Sequence, residues 1–358
     1  MANRYFSMIE YFNRIAATHK PLLEFNGKSF SDWQKWHKKA YAKLLELLGE
    51  FPEPSPLNSE VVASVEEHGI IKERVVFDSE KWMSVPCIVC RPKNLKPNRK
   101  NPAIVCSHGH GAYGKNPVAG INGGAEIQAS ITASNYNYGE LMAQHGFITI
   151  SPDLRVFGER SDGGNPYPGR DKCNVHFIRG AIFGIYTLTL NIFDLMRCVD
   201  YLATRKEVDP CRIGLMGLSQ GGTMAAFAGA VERRFKAVDI ICYVNPWKGF
   251  GVRDANFCGS QIVPNIYKYF DTHDIAGLIA PRPLLVEYGM WDECFKIDDC
   301  VQSIKPLKKI FSAAGAADKL EIEINPGPHA FGARTVSYTH LRAHETPEHL
   351  VCRLLLEK

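Results

Sequence analysis

R-I-G-L-M-G-L-S-Q-G-G-T-M-A-A-F-A-G-A-V-E-R, residues 212–233, is the stretch that decides the fold. Residues 213–216 form a short apolar run of buried-strand type, and residues 223–231 read as a small-residue helix. Between them, G-L-S-Q-G has the spacing of a nucleophile elbow. A serine on so sharp a strand-to-helix turn has a strained backbone and a hydroxyl raised above the sheet, so its neighbours must lack bulky side chains. Gly217 and Gly221 meet that need, and Gly222 lets the helix lie close to the strands.

Working outward, strand and helix patterns alternate. Apolar strand runs at 103–106, 147–151, 236–243, 283–287 and 320–324 are separated by helical patterns such as 138–145 and 187–202. That alternation predicts a mostly parallel sheet covered on both faces by helices. Three strand patterns without intervening helices, at 61–66, 71–77 and 85–91, predict an antiparallel edge leading into it. Before them lies a helical extension. A first helix is expected around residues 5–17. A second opens on a capping box of Ser31 and Gln34, carries Trp33, Ala40, Tyr41, Leu44, Leu45 and Leu48 on one stripe, and stops at Gly49. The domain reading is therefore an extension and linker over 1–56 and an α/β catalytic domain over 57–335.

The 358 residues are 45% hydrophobic and 22% charged, enough for a large core. A formal charge of +4 with no dense basic run gives no support for a nucleic-acid partner. The N-terminal residues lack the apolar core of a secretion signal, and the weakly polar run 181–193 is too short to span a membrane. Of the eleven cysteines, Cys106, Cys198 and Cys242 lie in apolar runs, and Cys87 and Cys90 form a C-x-x-C pair inside a strand pattern with no second pair or histidine cluster. Buried, reduced thiols in a cytoplasmic protein without metal or cofactor are the expectation.

A serine hydroxyl is a poor nucleophile at neutral pH. It needs a base within reach and a third group to orient that base, and functional loops lie at the carboxyl ends of the strands. The chain order serine, acid, histidine selects Asp292, just past the strand in L-L-V-E-Y-G-M-W-D, and His329, in the loop I-N-P-G-P-H-A-F. Asp298, Asp299 and Glu287 are rival acids. Charge developing on a carbonyl oxygen requires fixed N–H donors. The main chain of Gln220 should supply one, and the loop S-H-G-H-G-A-Y-G at 107–114 the other, from His110 or Gly111. His108 and His110 also admit a zinc-pair reading, against which no third ligand stands at metal spacing.

H-G-H-G-A-Y-G-K, P-D-L-R-V-F-G-E-R, the elbow, and I-A-P-R-P-L-L-V-E-Y-G with Asp292 together resemble, over residues 31–332, the α/β-hydrolases grouped with acetyl xylan esterases and dienelactone hydrolases. The resemblance implies an α/β-hydrolase fold and hydrolysis of a small carboxylic ester, such as an acetylated sugar, through an acyl-serine. Dienelactone hydrolases use cysteine where this chain has Ser219, which turns the reading away from lactones, and the missing export signal turns it away from polymers. The long loops 160–180 and 245–271, with Trp247, Phe250 and Tyr267, are expected to shape the pocket or to pack on one another. A prolyl-oligopeptidase-like peptidase and a non-catalytic binding module on the same scaffold are the rival functions. Residues 336–358, V-S-Y-T-H-L-R-A-H-E-T-P-E-H-L-V-C-R-L-L-L-E-K, resemble the translation of a sequencing-library adapter and are expected not to be native.

Overall fold

A computed structural model describes residues 4–95, 99–121, 123–162 and 169–333. The adapter-like segment lies outside the described residues. Among the described residues nine strands form: β1 (Glu60–Glu67), β2 (Ile70–Glu80), β3 (Met83–Pro92), β4 (Asn101–Ser107), β5 (Ile148–Pro152), β6 (Val208–Leu218), β7 (Phe235–Ile241), β8 (Leu284–Gly289) and β9 (Leu320–Asn325). They form one sheet in the order β1-β2-β3-β5-β4-β6-β7-β8-β9. The pairs β1/β2, β2/β3 and β3/β5 are antiparallel. All pairs from β5/β4 to β8/β9 are parallel.

The physics of the strands follows their place. β5, β7 and β8 are buried along nearly their whole length, as parallel strands covered on both faces must be. β1 is exposed along its length, and its glutamates guard an open edge. Crossovers run through the helices Tyr138–Gln144, Thr187–Thr204, Gln220–Val231 and Ile297–Ala313. Among the described residues no single helix is long and apolar enough to cross a membrane.

The N-terminal extension joins the main core. In the helix Phe30–Leu48, Trp33, Ala40, Leu44 and Leu48 are buried, while Tyr41 and Leu45 pack partly buried against the same cluster. Its cap is not Ser31 with Gln34 but Ser29 with Asp32: the Asp32 N–H donates to Ser29 Oγ at 3.1 Å, and the Ser29 N–H to Asp32 Oδ2 at 3.0 Å. An aspartate at the third helical position closes the box as a glutamate would, and two backbone donors pull its carboxyl down to about 2. The first helix is Met8–Thr18.

Two expected loops contain helices. Lys172–Phe183 lies in the stretch read as loop 160–180, capped by Asp171 and ended by Gly184 at φ 71°. Interleaved Lys172, Asn174, His176 and Arg179 blur its apolar stripe. The stretch 245–271 holds a π-helix, Lys248–Arg253, and a short helix, Ile266–Tyr269.

Two buried carboxyls fasten the extension to this second stretch. Asp274 accepts the Phe25 N–H at 3.1 Å and the Asp271 N–H at 3.0 Å, and Asp271 accepts the Trp247 N–H at 2.8 Å. Burial pushes Asp274 up to about 8 and Asp271 up to about 6, outweighing the backbone donors that act the other way. The folded protein thus holds a proton on Asp274 that an unfolded carboxyl releases above about pH 4, so stability should fall as pH rises from about 4 to about 8. Thermal melts between pH 5 and 9 are expected to show that decline, flattened in Asp274→Asn; identical slopes in the two proteins would remove Asp274 as its source.

Candidate active site

Ser219 closes β6 and caps the helix Gln220–Val231 with φ 63° and ψ −117°, a region that costs of order 1–3 kcal/mol for a residue with a side chain. Its N–H donates to Ile241 O at 2.9 Å, and its carbonyl accepts the Thr223 N–H at 2.9 Å. The glycines around it are steric necessities. A Cβ on Gly217 would stand 2.3 Å from Gly221 O, one on Gly221 2.0 Å from Ser107 O, and one on Gly222 2.7 Å from Tyr243 Cβ.

Asp292 is buried in the turn after β8. Its Oδ1 accepts the N–H groups of Cys294 and Phe295 at 2.8 and 2.9 Å, and its Oδ2 accepts Nδ1–H of His329 at 2.7 Å. A carboxylate in that place sets the tautomer, leaving Nε2 of His329 as the basic nitrogen. The ring of Phe295 lies nearly parallel to the imidazole, 16° between planes. The two loops are stitched together by main chain: Met290 N–H donates to Asn325 O at 2.8 Å, and Trp291 N–H to Gly327 O at 3.0 Å. Beside them, the Cys242 thiol donates to Ala330 O at 3.7 Å and sits with Asp292 and His329 in a group whose polar atoms lie within 4.8 Å of one another. Cys242 directly follows Ile241, the acceptor for Ser219, so Ser219 and His329 lie at one end of the sheet.

Two of the rival acids, Asp299 and Glu287, are engaged elsewhere. Asp299 pairs with Arg253 at 2.8 Å, and Asp298 lies in the first turn of the helix Ile297–Ala313. Glu287 accepts from Asn325 Nδ2 at 3.0 Å and from the Gly332 N–H at 2.9 Å, bracing the two flanks of the histidine loop.

At the proposed oxyanion side, Gln220 begins a helix whose first N–H groups have no intrahelical partner and whose dipole favours negative charge. The loop after β4 lies against Ser219: a Cβ on Gly109 would be 3.3 Å from Ser219 Cβ. The Gly109 N–H is already held by Tyr136 Oη at 2.6 Å, which leaves His110 and Gly111 as the loop's candidates. His108 is not a zinc ligand. Fully buried and pushed down to about 4, its neutral ring donates Nδ1–H to Gly109 O at 2.7 Å and accepts the Leu154 N–H on Nε2 at 3.0 Å. Cys87 and Cys90 belong to core clusters of their own, with each thiol pushed up by burial, so they present no shared site.

The model of the Abhydrolase family matches residues 2–323. The chain belongs to that family. A Bacillus subtilis (strain 168) member of the curated proteins named "Putative hydrolase YtaP" is 26% identical over 77% of this chain and 88% of its own. Among solved structures, a "putative acetyl xylan esterase" from Bacteroides fragilis NCTC 9343 superposes with a TM-score of 0.72 at 18% identity, covering 99% of this chain and 95% of that one. The glucuronoyl esterase from Solibacter usitatus gives 0.64 at 18% identity, covering 87% and 94%. These likenesses establish an α/β-hydrolase fold for this Abhydrolase.

Phe257 and Phe295 carry no sequence signal. Trp247 and Phe250, expected to line a pocket or pack together, are buried around Phe257 and Phe295, the ring that backs His329; Tyr267 packs edge-on to His19. Three groups of ligand-type side chains occur among the described residues. In Glu67, His68 and Glu140 the ammonium of Lys72 sits against both carboxylates, at 2.8 and 2.9 Å, where a cation would go. Cys242, Asp292 and His329 form the second, and His110, Cys173 and Cys258 the third. The Abhydrolase elbow should tolerate no methyl at Gly221: Gly221→Ala is expected to lose fluorophosphonate labelling of Ser219 by at least about tenfold while circular dichroism stays that of an α/β protein. Full labelling would mean that β4 and the elbow need not touch.

Proposed function

We propose that this protein is a serine-dependent carboxylic ester hydrolase that works through an acyl-serine on a small ester, such as an acetylated sugar. The observation that carries the reading is the 2.7 Å bond from His329 to buried Asp292 at the same sheet end as the strained Ser219. In the first half-reaction Ser219 Oγ attacks the ester carbonyl while Nε2 of His329 takes its proton; the imidazolium is steadied by Asp292. The oxyanion is received by the main-chain N–H of Gln220 and by that of His110 or Gly111. Collapse expels the alcohol, which takes the proton back from His329, and water repeats the sequence on the acyl-serine.

The esterase names of the structural neighbours support the ester reading, and the free thiols of the ten described cysteines support a reducing, cytoplasmic setting. Each step uses protein groups, so no cofactor enters the proposal. Ser219→Ala should abolish turnover, and His329→Ala should lower kcat by about 10²–10⁴-fold. A panel of acetyl, butyryl and sugar esters beside aminoacyl amides tests the class. Ester cleavage that survives Ser219→Ala, or amides cleaved faster than every ester, would overturn it.

A further inference from the structure

His110, Cys173 and Cys258 come from three separate segments: the loop after β4, the first turn of the helix Lys172–Phe183, and the loop that follows the π-helix Lys248–Arg253. Their ligand atoms lie within 4.8 Å of one another, and His110 Nε2 is 3.4 Å from Cys173 Sγ. A tetrahedral ion with bonds of about 2.3 Å to sulfur and 2.0–2.1 Å to nitrogen sets its ligands about 3.5 Å apart along a sulfur–nitrogen edge. One edge is already at that length.

The surroundings hold the ligands in place. The Gly259 N–H donates to Asn174 Oδ1 at 2.9 Å, joining the residue after Cys258 to the residue after Cys173. The approach is close enough that a Cβ on Gly259 would be 2.2 Å from Phe177 Cβ. Cys258 Sγ lies 2.8 Å from Ser260 Oγ, which accepts from Gln220 Nε2 at 3.1 Å, and Gln261 Nε2 donates to Thr223 Oγ1 at 3.0 Å. Such outer partners orient the ligands of metal sites. The two cysteines are buried and His110 is exposed, so the sulfurs form the floor and the imidazole stands at the mouth.

We propose that His110, Cys173 and Cys258 bind one thiophilic divalent cation of the zinc class, with a fourth position open to solvent. Binding replaces the thiol protons, which go to water, by two metal–sulfur bonds and adds one metal–nitrogen bond. The ion clamps the loop after β4, which also carries His110 and Gly111 as proposed anion donors, to the two segments that supply the sulfurs. Sequence spacing conceals it, because the ligands are 63 and 85 residues apart and the nearer histidine, His108, is spent on the fold.

The test is cobalt titration of the whole chain, chelator-stripped and reduced, without air. One equivalent should produce a near-ultraviolet thiolate-to-cobalt band with the visible bands of a four-coordinate ion, and zinc should erase them. Zinc should also raise the melting temperature. Cys258→Ser, Cys173→Ser and His110→Ala should each weaken binding by more than the 10–100-fold (about) that an outer partner is worth. His110 is exposed, so its variant keeps the test open if a cysteine variant fails to fold. His329→Asn and the double variant Cys211→Ser, Cys294→Ser should retain the band, which separates this site from the triad group and from exposed thiols. A missing band, a band that survives loss of His110 and either cysteine, or one that vanishes with His329, would overturn the proposal.

Discussion

Backbone packed on backbone at the end of β6 is the constraint from which the rest of the site follows. Gly217 faces the carbonyl of Gly221, Gly221 faces that of Ser107, and Gly222 faces the β-carbon of Tyr243. None of these contacts leaves room for a methyl group. Because the helix Gln220–Val231 is pressed against the ends of β4 and β7, Ser219 has no relaxed conformation available and is held at positive φ. The strain is stored where the surrounding sheet over-determines it. The same pressing brings the first N–H groups of the helix beside the serine, so one steric arrangement positions both the proposed nucleophile and the proposed anion donors.

The proposed acid and base, Asp292 and His329, are secured by different means. Their loops are open chain after β8 and β9, and main-chain bonds from Met290 and Trp291 to the opposite loop do the work that a ladder does within the sheet. Asp292 spends one oxygen on two N–H groups of its own turn and the other on His329. Glu287, fully buried, ties down Gly332 and Asn325. The carboxylate that looks from sequence like a competing acid is thus a brace for the histidine loop.

Local signals were legible in the sequence, and long-range ones were not. The elbow announces itself because strand, glycines, serine and helix are contiguous, and the mostly parallel character of the sheet follows from alternation. Asp292 and His329 could be chosen because each is the ionisable residue just past a readable strand. The helix Lys172–Phe183 is hidden by polar residues on its apolar stripe, and the Ser29 box is hidden because it closes on an aspartate rather than on the glutamate or glutamine of the usual pattern. Tyr136 and Phe295 enter the site, and Cys173 and Cys258 meet His110, through contacts between distant segments, which no spacing rule encodes. His110 and His108 look alike in H-G-H-G, yet burial makes one a neutral hydrogen-bonding strut and leaves the other exposed.

The charged motif P-D-L-R-V-F-G-E-R shows how such a site is kept rigid without adding chemistry. Asp153 is fully buried and accepts the N–H and Nζ of Lys115 at 2.8 and 2.6 Å, and Gly114 and Gly158 crowd it so closely that a Cβ on either would touch its carboxylate. Arg155 grips Asp194 with two nitrogens at 2.9 and 3.0 Å, and Arg160 reaches the same carboxylate at 2.7 Å. Replacing such pairs with apolar groups often costs nothing, so net stability is a weak reason for them; breaking one half strands a buried charge at about 3–5 kcal/mol. That asymmetry punishes any geometry but one. Lys115 follows the loop that carries His110 and Gly111, and Asp153 precedes Leu154, whose N–H is held by His108. The paired charges therefore fix the loop after β4 against the loop after β5, and with it the direction in which the proposed anion donors point.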